Sequence, residues 1–316
     1  MDNFKFSLII PEIHKAQRLD AVISQLLPQH SRVRIQQWIK DGDLLLNGTR
    51  CKPRDKIVGG EQIDINAPIG KQLSYHAENI PLAILHSDAD IIILNKPVGL
   101  VVHPAAGNYS GTLLNALLHH FPELATLPRA GIIHRLDKDT SGILVVARNL
   151  TAHTKLIAAL QQRQIKREYI ALVQGYLTAG GSISTDIGRH PRLRTKMAVV
   201  SNGKLAHTHY RIAERLAYHT LLNVTLETGR THQIRVHMAH LKHPLVGDQT
   251  YGKLRLPKGA SETIRQCLQN FKRQALHAHK LGFIHPKTQQ YCEFTAPVAL
   301  DIQTLLQTLR DEHGTN

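Results

Sequence analysis

The run His134-Arg135-Leu136-Asp137-Lys138-Asp139-Thr140-Ser141-Gly142 leads into the apolar stretch Ile143-Leu144-Val145-Val146-Ala147. A short apolar run bounded by turn residues reads as a buried strand, which puts Arg135 and Asp137 at its mouth. A cation beside a carboxylate keeps it ionised, as a nucleophilic or electrostatic role requires. An Arg-Leu-Asp triplet by itself is an ordinary surface ion pair beside a turn, so its meaning rests on the rest of the chain.

Four further segments carry polar chemistry. Asn95-Lys96-Pro97-Val98-Gly99-Leu100-Val101-Val102-His103-Pro104 follows an apolar strand and has the proline and glycine of a shaped loop. Lys166-Arg167-Glu168-Tyr169 sets an aromatic at the start of a strand, beside basic residues. Glu227-Thr228-Gly229-Arg230-Thr231-His232-Gln233-Ile234-Arg235-Val236-His237 reads as a turn dense in donors, and Ala275-Leu276-His277-Ala278-His279 precedes Phe283-Ile284-His285-Pro286. Taken singly, Tyr169 is a core residue with a satisfied hydroxyl, Arg235 a strand-edge charge, and His103, His134 and His237 structural histidines.

Composition narrows the partners. Of 316 residues, 39 are Lys or Arg and 24 are Asp or Glu, a formal charge of +15 that favours a polyanion, and nucleic acid before others. An anionic membrane would need a lipid-anchor motif or a long basic amphipathic helix, and neither stands out. There is no signal-peptide core and no apolar run of spanning length, so a cytoplasmic protein is expected. Three cysteines without a C-x-x-C pair speak against a disulfide framework or a cysteine zinc site. Twenty-one histidines keep a metal enzyme in play.

The elements that must position these residues fall into a small module and a large domain. Residues 1–17 form an N-terminal segment. Within 18–66, Leu19, Val22, Ile23, Leu26 and Leu27 follow helical spacing up to Pro28. Ser31 can cap a second helix whose apolar side is Ile35, Trp38 and Ile39 and whose surface carries Arg32, Arg34 and Lys40. Leu44-Leu45-Leu46 then enters Asn47-Gly48, a hairpin signal, and Ile63-Asp64-Ile65 closes the module with a short strand. Residues 67–82, with Pro68, Gly70 and Pro81, read as a linker. From 83 to 305, strands in runs broken by isolated helices predict an α+β domain on a mixed, mostly antiparallel sheet. Residues 306–316 read as a polar tail.

Two helices and a hairpin with a basic second helix resemble the S4 RNA-binding domain, a small α/β module. The larger domain, through HRLDKDTSG, GRTHQIRVH and HPLVGD in that order, resembles the pseudouridine synthases of the RluA/RluD type, which isomerise uridines in structured RNA. His103-Pro104-Ala105-Ala106-Gly107-Asn108 and Gly111-Thr112-Leu113-Leu114-Asn115-Ala116-Leu117-Leu118 look closest to the branch that acts on large-subunit (23S) ribosomal RNA. The resemblance implies the pseudouridine synthase fold, no cofactor and Asp137 as catalytic carboxylate. It further implies Arg235, not Arg230, as the cation on Asp137, Tyr169 as a face for the extruded base, and Arg135 filling the space that base leaves. Arg32, Arg34, Lys40, Arg192, Arg194, Lys196 and Arg230 are then expected to touch RNA, and Ile234 or Leu276 to floor the pocket. A monomer is expected. Whether Asp137 attacks C1′, adds to C6 or assists at C2′ stays open.

Two other readings compete. A metal-dependent nucleic-acid hydrolase would use His207-Thr208-His209 or His277-Ala278-His279 with an acidic third ligand such as Asp248. A non-catalytic S4-type ribosome-assembly protein would use only the module and the basic stretch from Arg192 to Lys196.

Overall fold

The computed structural model describes residues 3–27, 30, 32–68, 75–104, 108–193 and 195–313. Pro28, Ser31, Gly70, Arg194 and the tripeptide Ala105-Ala106-Gly107 lie outside the described residues. The chain forms two compact units, one up to residue 74 and one from Tyr75 onward.

The first unit contains β1 (Asn3–Ile9), α1 (Leu19–Leu26), α2 (Arg32–Asp41), β2 (Leu44–Leu46), β3 (Thr49–Arg50) and β4 (Gln62–Pro68). Its antiparallel sheet runs β1-β4-β2-β3. The helical spacing delivers Leu19, Val22 and Ile23 of α1 and Ile35, Trp38 and Ile39 of α2 to one core with Leu44, Ile63 and Ile65. Asn47 and Gly48 both take positive φ, 49° and 73°, as a two-residue hairpin of this twist demands. The N-terminal segment is not separate. Asn3–Ile9 pairs with β4 along its whole length, covering an edge that would otherwise be open. β4 itself continues to Pro68, inside the expected linker.

The second unit is α+β, on one ten-stranded sheet. Its strands are β5 (Ile84–Ser87), β6 (Ile91–Lys96), β7 (Ser141–Ala147), β8 (Lys166–Gln174), β9 (Gly181–Arg189), β10 (Met197–Val199), β11 (Lys204–Leu216), β12 (His219–Leu226), β13 (Leu276–Ile284) and β14 (Tyr291–Thr295). Its helices are α3 (Leu113–His120), α4 (Leu150–Gln161), α5 (Gln233–His240), α6 (Glu262–Asn270) and α7 (Leu300–His313). Strand order is β10-β9-β11-β12-β8-β13-β7-β6-β5, with β14 also on β13. Among the described residues the only two strands of this sheet that pair in parallel are β7 and β13. That seam joins two antiparallel halves and sets the loops entering β7 and β13 side by side.

The seam is tight. Gly142 has φ +117°, and a Cβ there would stand 2.1 Å from the carbonyl oxygen of Ala278, so only glycine lets the two strands close. Ile143, Leu144, Val145 and Val146 are buried on both faces of β7, as their unbroken apolar run requires. Gln274 Nε2 donates to Thr140 Oγ1 at 3.0 Å and Arg273 Nη1 to the Asp139 carbonyl at 3.2 Å, tying the two loops together. The expected polar tail is instead the end of α7, where Ile302, Leu305, Leu306 and Leu309 repeat at helical spacing and pack with Ile264 and Leu268 of α6. Among the described residues, no helix is long and apolar enough to cross a membrane.

Candidate active site

Asp137 sits in the loop entering β7, and two polar devices hold that loop. Lys96 is 1 % exposed and donates from Nζ to the carbonyls of Pro97, Leu100 and Lys138 at 2.7, 2.9 and 2.9 Å. One ammonium thus binds the 97–100 loop to the Asp137 loop. Burial pushes the Lys96 pKa down to about 8, against the raising effect of Asp139 and Asp137. His134 accepts the Val145 backbone N–H through Nε2 at 3.2 Å. Loss of hydration, then the charge of Arg167, pushes its pKa down to about 3, so it remains a neutral acceptor at physiological pH.

Arg235 reaches the same place from α5, not from a strand edge. The helix is pinned at its start by Gln233, whose Nε2 donates to the His207 carbonyl and Thr208 Oγ1 and whose Oε1 accepts Thr228 Oγ1–H and the Arg230 N–H, all at 2.9 Å. Every donor and acceptor of that buried amide is used, which fixes the helix against β11. Arg235 Nη1 then donates to Asp137 Oδ2 at 3.0 Å, while Nε and Nη2 grip both oxygens of Asp248 at 2.7 and 2.9 Å. Burial works against the charge on Arg235, and the hydrogen bonds and charge of Asp248, with those of Asp137, more than offset it and raise its pKa. Of the two carboxylates, Asp248 has no exposed side-chain surface and Asp137 has 16 %. Asp248 anchors the guanidinium; Asp137 faces outward.

It faces a cavity of about 270 Å³ whose wall includes Arg135, Asp137, Lys138, His232, Arg235 and Thr250. Arg135 is exposed there and makes no ion pair among the described residues. Tyr169, on β8 between Val224 and Ala278 of the neighbouring strands, is 8 % exposed. Burial raises its phenol pKa, Arg167 opposes the rise and Asp137 adds to it. Ile234 and Leu276, both buried, belong to the same apolar cluster as Tyr169. Arg230 is elsewhere, donating to the Leu205 carbonyl at 3.1 Å. Arg192 is exposed, whereas Lys196 is tied through Nζ to the Thr250 carbonyl at 2.8 Å.

In the first unit, Arg32 does not present a free guanidinium. It makes two bonds to the buried Asp20, at 3.1 and 2.7 Å, and Arg18 makes two more. Burial would raise the Asp20 pKa, but these arginines and Gln36 hold it well below the usual carboxylate range. Arg34 lies over the Trp38 ring at 5.3 Å. Lys40 alone of the three expected residues lines a groove, of about 350 Å³, together with Arg18, Lys52 and Arg54. The Lys52-Pro53-Arg54 triplet after the hairpin was the overlooked sequence signal.

Three of the four histidines considered as metal ligands are hydrogen-bonded within the framework. His209 Nε2 bonds Glu227 at 2.6 Å, His277 Nδ1 bonds Ser141 Oγ at 2.9 Å, and His279 Nδ1 bonds the Ala296 carbonyl at 3.0 Å. Asp248 serves Arg235. A different trio, Asp88, Asp90 and His285, does converge. There, His285 Nδ1 accepts the Lys287 and Thr288 N–H groups at 3.2 Å each, so Nε2 carries the proton and donates it to Asp88 at 3.1 Å. That arrangement is a hydrogen-bonded clasp.

Burial disfavours the charge on Asp248, but Arg235 and the N–H groups of Tyr251 and Thr250 hold its pKa below the ordinary carboxylate value. A depressed folded pKa gives stability that is complete above the unfolded value near 4 and is lost as pH falls through the folded one. Asp248→Asn should therefore cost roughly 2–3 kcal/mol at pH 7. In thermal melts the gap between variant and wild type should narrow below about pH 4. A gap independent of pH would contradict this account of the carboxylate.

A family model described as RNA pseudouridylate synthase matches residues 90–240, and an S4 domain model matches residues 17–63. The chain is 52% identical over 309 residues to the Ribosomal large subunit pseudouridine synthase D of Escherichia coli (strain K12), covering 96% of this chain and 95% of the relative. It is 50% identical over 313 residues to the protein of the same name in Xanthomonas campestris pv. campestris, covering 99% and 95%. Among solved structures it is similar to Human RNA Pseudouridylate Synthase Domain Containing 1, with a TM-score of 0.54 and 26% identity over 74% of this chain and 96% of that one. Identity of this order over nearly the whole length, on a matching fold, means that the chain belongs to the RNA pseudouridylate synthase family and is an RNA pseudouridine synthase carrying an S4 domain.

Proposed function

We propose that this enzyme isomerises specific uridines to pseudouridine in large-subunit ribosomal RNA, with Asp137 as the carboxylate acting on the extruded nucleotide. The observation that carries this reading is the 3.0 Å contact of Asp137 with a buried, doubly anchored Arg235 at the wall of a nucleotide-sized cavity. A duplex or stacked strand cannot enter such a space, so the target base must leave its stack. Arg135, exposed beside Asp137, fills the vacated position. Tyr169 offers the base an aromatic face, worth roughly 1–3 kcal/mol. Ile234 and Leu276 supply apolar surface behind it, keeping water from the detached uracil. Breaking N1–C1′ and forming C5–C1′, with the C5 proton lost and one gained at N1, changes neither oxidation state nor water content, so no redox or hydrolytic partner is needed. The large-subunit target is supported by the names of the relatives in E. coli and X. campestris. A ribosomal RNA target supports action in the cytoplasm, and we read the protein as a monomer because the contact of Arg235 with Asp137 and Asp248 needs no residue from a second copy.

The S4 domain adds affinity for structured RNA through Lys40, Lys52 and Arg54, with Arg192 and Arg194 of the catalytic unit as further phosphate contacts, while Arg18, like Arg32, is bonded to Asp20. Arg32 contributes by bracing Asp20 more than by touching RNA.

Single-turnover conversion of unmodified large-subunit ribosomal RNA tests the chemistry. Asp137→Asn should abolish conversion with little change in RNA affinity, since a neutral isostere cannot replace the carboxylate. Asp139→Asn should retain turnover; the reverse order would sink the assignment. For the groove, Lys52→Gln with Arg54→Gln should weaken binding and flatten the dependence of log K on log salt by about two. An unchanged slope would remove the groove from the RNA interface.

A further inference from the structure

His232 and Tyr251 have no part in the roles assigned so far. His232 stands at the start of α5 in left-handed backbone, φ 57° and ψ 22°. Residues with a Cβ seldom enter that region, and where they do the site is often functional. Its ring is held between two groups. Nδ1 lies 2.7 Å from the Tyr251 hydroxyl, and Nε2 lies 3.8 Å from Oδ1 of Asp137, the oxygen that Arg235 does not bond.

The proton positions follow from the partners. Tyr251 Oη accepts the Met197 backbone N–H at 2.8 Å, leaving its own proton for His232 Nδ1. A neutral imidazole bears one N–H, so with Nδ1 accepting, the proton sits on Nε2 and faces the carboxylate. The other tautomer would aim a lone pair at Asp137. Tyr251 is itself fixed: its backbone N–H donates to Asp248 at 3.1 Å, and its ring lies 5.0 Å from the Arg235 guanidinium. Met197 opens β10, next to the lysine whose Nζ binds the Thr250 carbonyl. Three elements converge on one phenol.

We propose that His232, set as the Nε2–H tautomer by Tyr251, is a positioning residue that closes on Asp137 Oδ1 when RNA fills the cavity. Both carboxylate oxygens are then aimed, Oδ2 by Arg235 and Oδ1 by His232. At 3.8 Å the second contact is longer than a hydrogen bond, and catalytic hydrogen bonds commonly tighten only with substrate bound. The proposal rests on the reading of Asp137 as the catalytic carboxylate.

Tyr251→Phe in the full chain removes the hydroxyl and keeps the ring. Histidine-selective nitrogen NMR, with His232→Asn to identify the signal, reads the tautomer without reference to activity. Wild type should show Nε2–H at His232, and Tyr251→Phe a shift toward a tautomer mixture. In single-turnover assays on unmodified large-subunit ribosomal RNA, Tyr251→Phe should be roughly tenfold slower at unchanged RNA affinity. Nδ1–H in wild type, a wild-type rate in the variant, or a slowing matched by an equal loss of affinity would each overturn the proposal. Turnover by Asp137→Asn would overturn it together with the reading beneath it. An inert Asp137→Asn beside a fully active Tyr251→Phe would overturn the positioning role alone.

Discussion

One guanidinium shared by two carboxylates organises the catalytic unit. Arg235 spends two donors on Asp248 and one on Asp137, and it does so almost entirely out of water. Desolvating such a group costs several kcal/mol, and attraction to its partners returns little net stability. What the arrangement supplies is geometry. The fully enclosed Asp248 fixes the fork, so the remaining donor can point only where Asp137 stands. Lysine could not do this, because its donors share one atom.

The rest of the unit reads as the means of bringing these groups together. The parallel β7–β13 seam sets two loops side by side, and Gly142 lets the strands approach. Lys96 gathers three carbonyls from two loops. Gln233 fastens α5, so Arg235 enters from a helix whose start cannot drift. Lys96 and Gln233 are each a buried polar group with its partners supplied, which is costly to assemble and, once satisfied, selects one conformation.

Much of this was legible in the sequence because the informative residues lie in contiguous motifs. Apolar runs and turn residues were enough for β6, β7 and the Asn47-Gly48 hairpin. The resemblance picked out Asp137, Tyr169 and Arg235, and the first and third are in contact. What escaped has a common cause: contacts between residues distant in the chain leave no local pattern. Nothing in its spacing says that Arg32 is turned inward to Asp20, or that Asp248 is an anchor for Arg235 and not a metal ligand. Helix α5 was hidden by β-branched and histidine residues and by a left-handed residue at its start. Strand β1 was hidden because its residues are mostly exposed, and the end of α7 because its polar face outnumbers its buried leucines.

The claim that geometry, and not charge alone, is what Arg235 provides is tested most directly by Arg235→Lys. The substitution keeps the cation but cannot grip Asp248 with two donors and Asp137 with a third. Single-turnover rate and RNA affinity should be measured together on the same RNA. The account predicts a rate roughly a hundredfold lower with affinity unchanged. A lysine enzyme that isomerises uridine at the wild-type rate would contradict it.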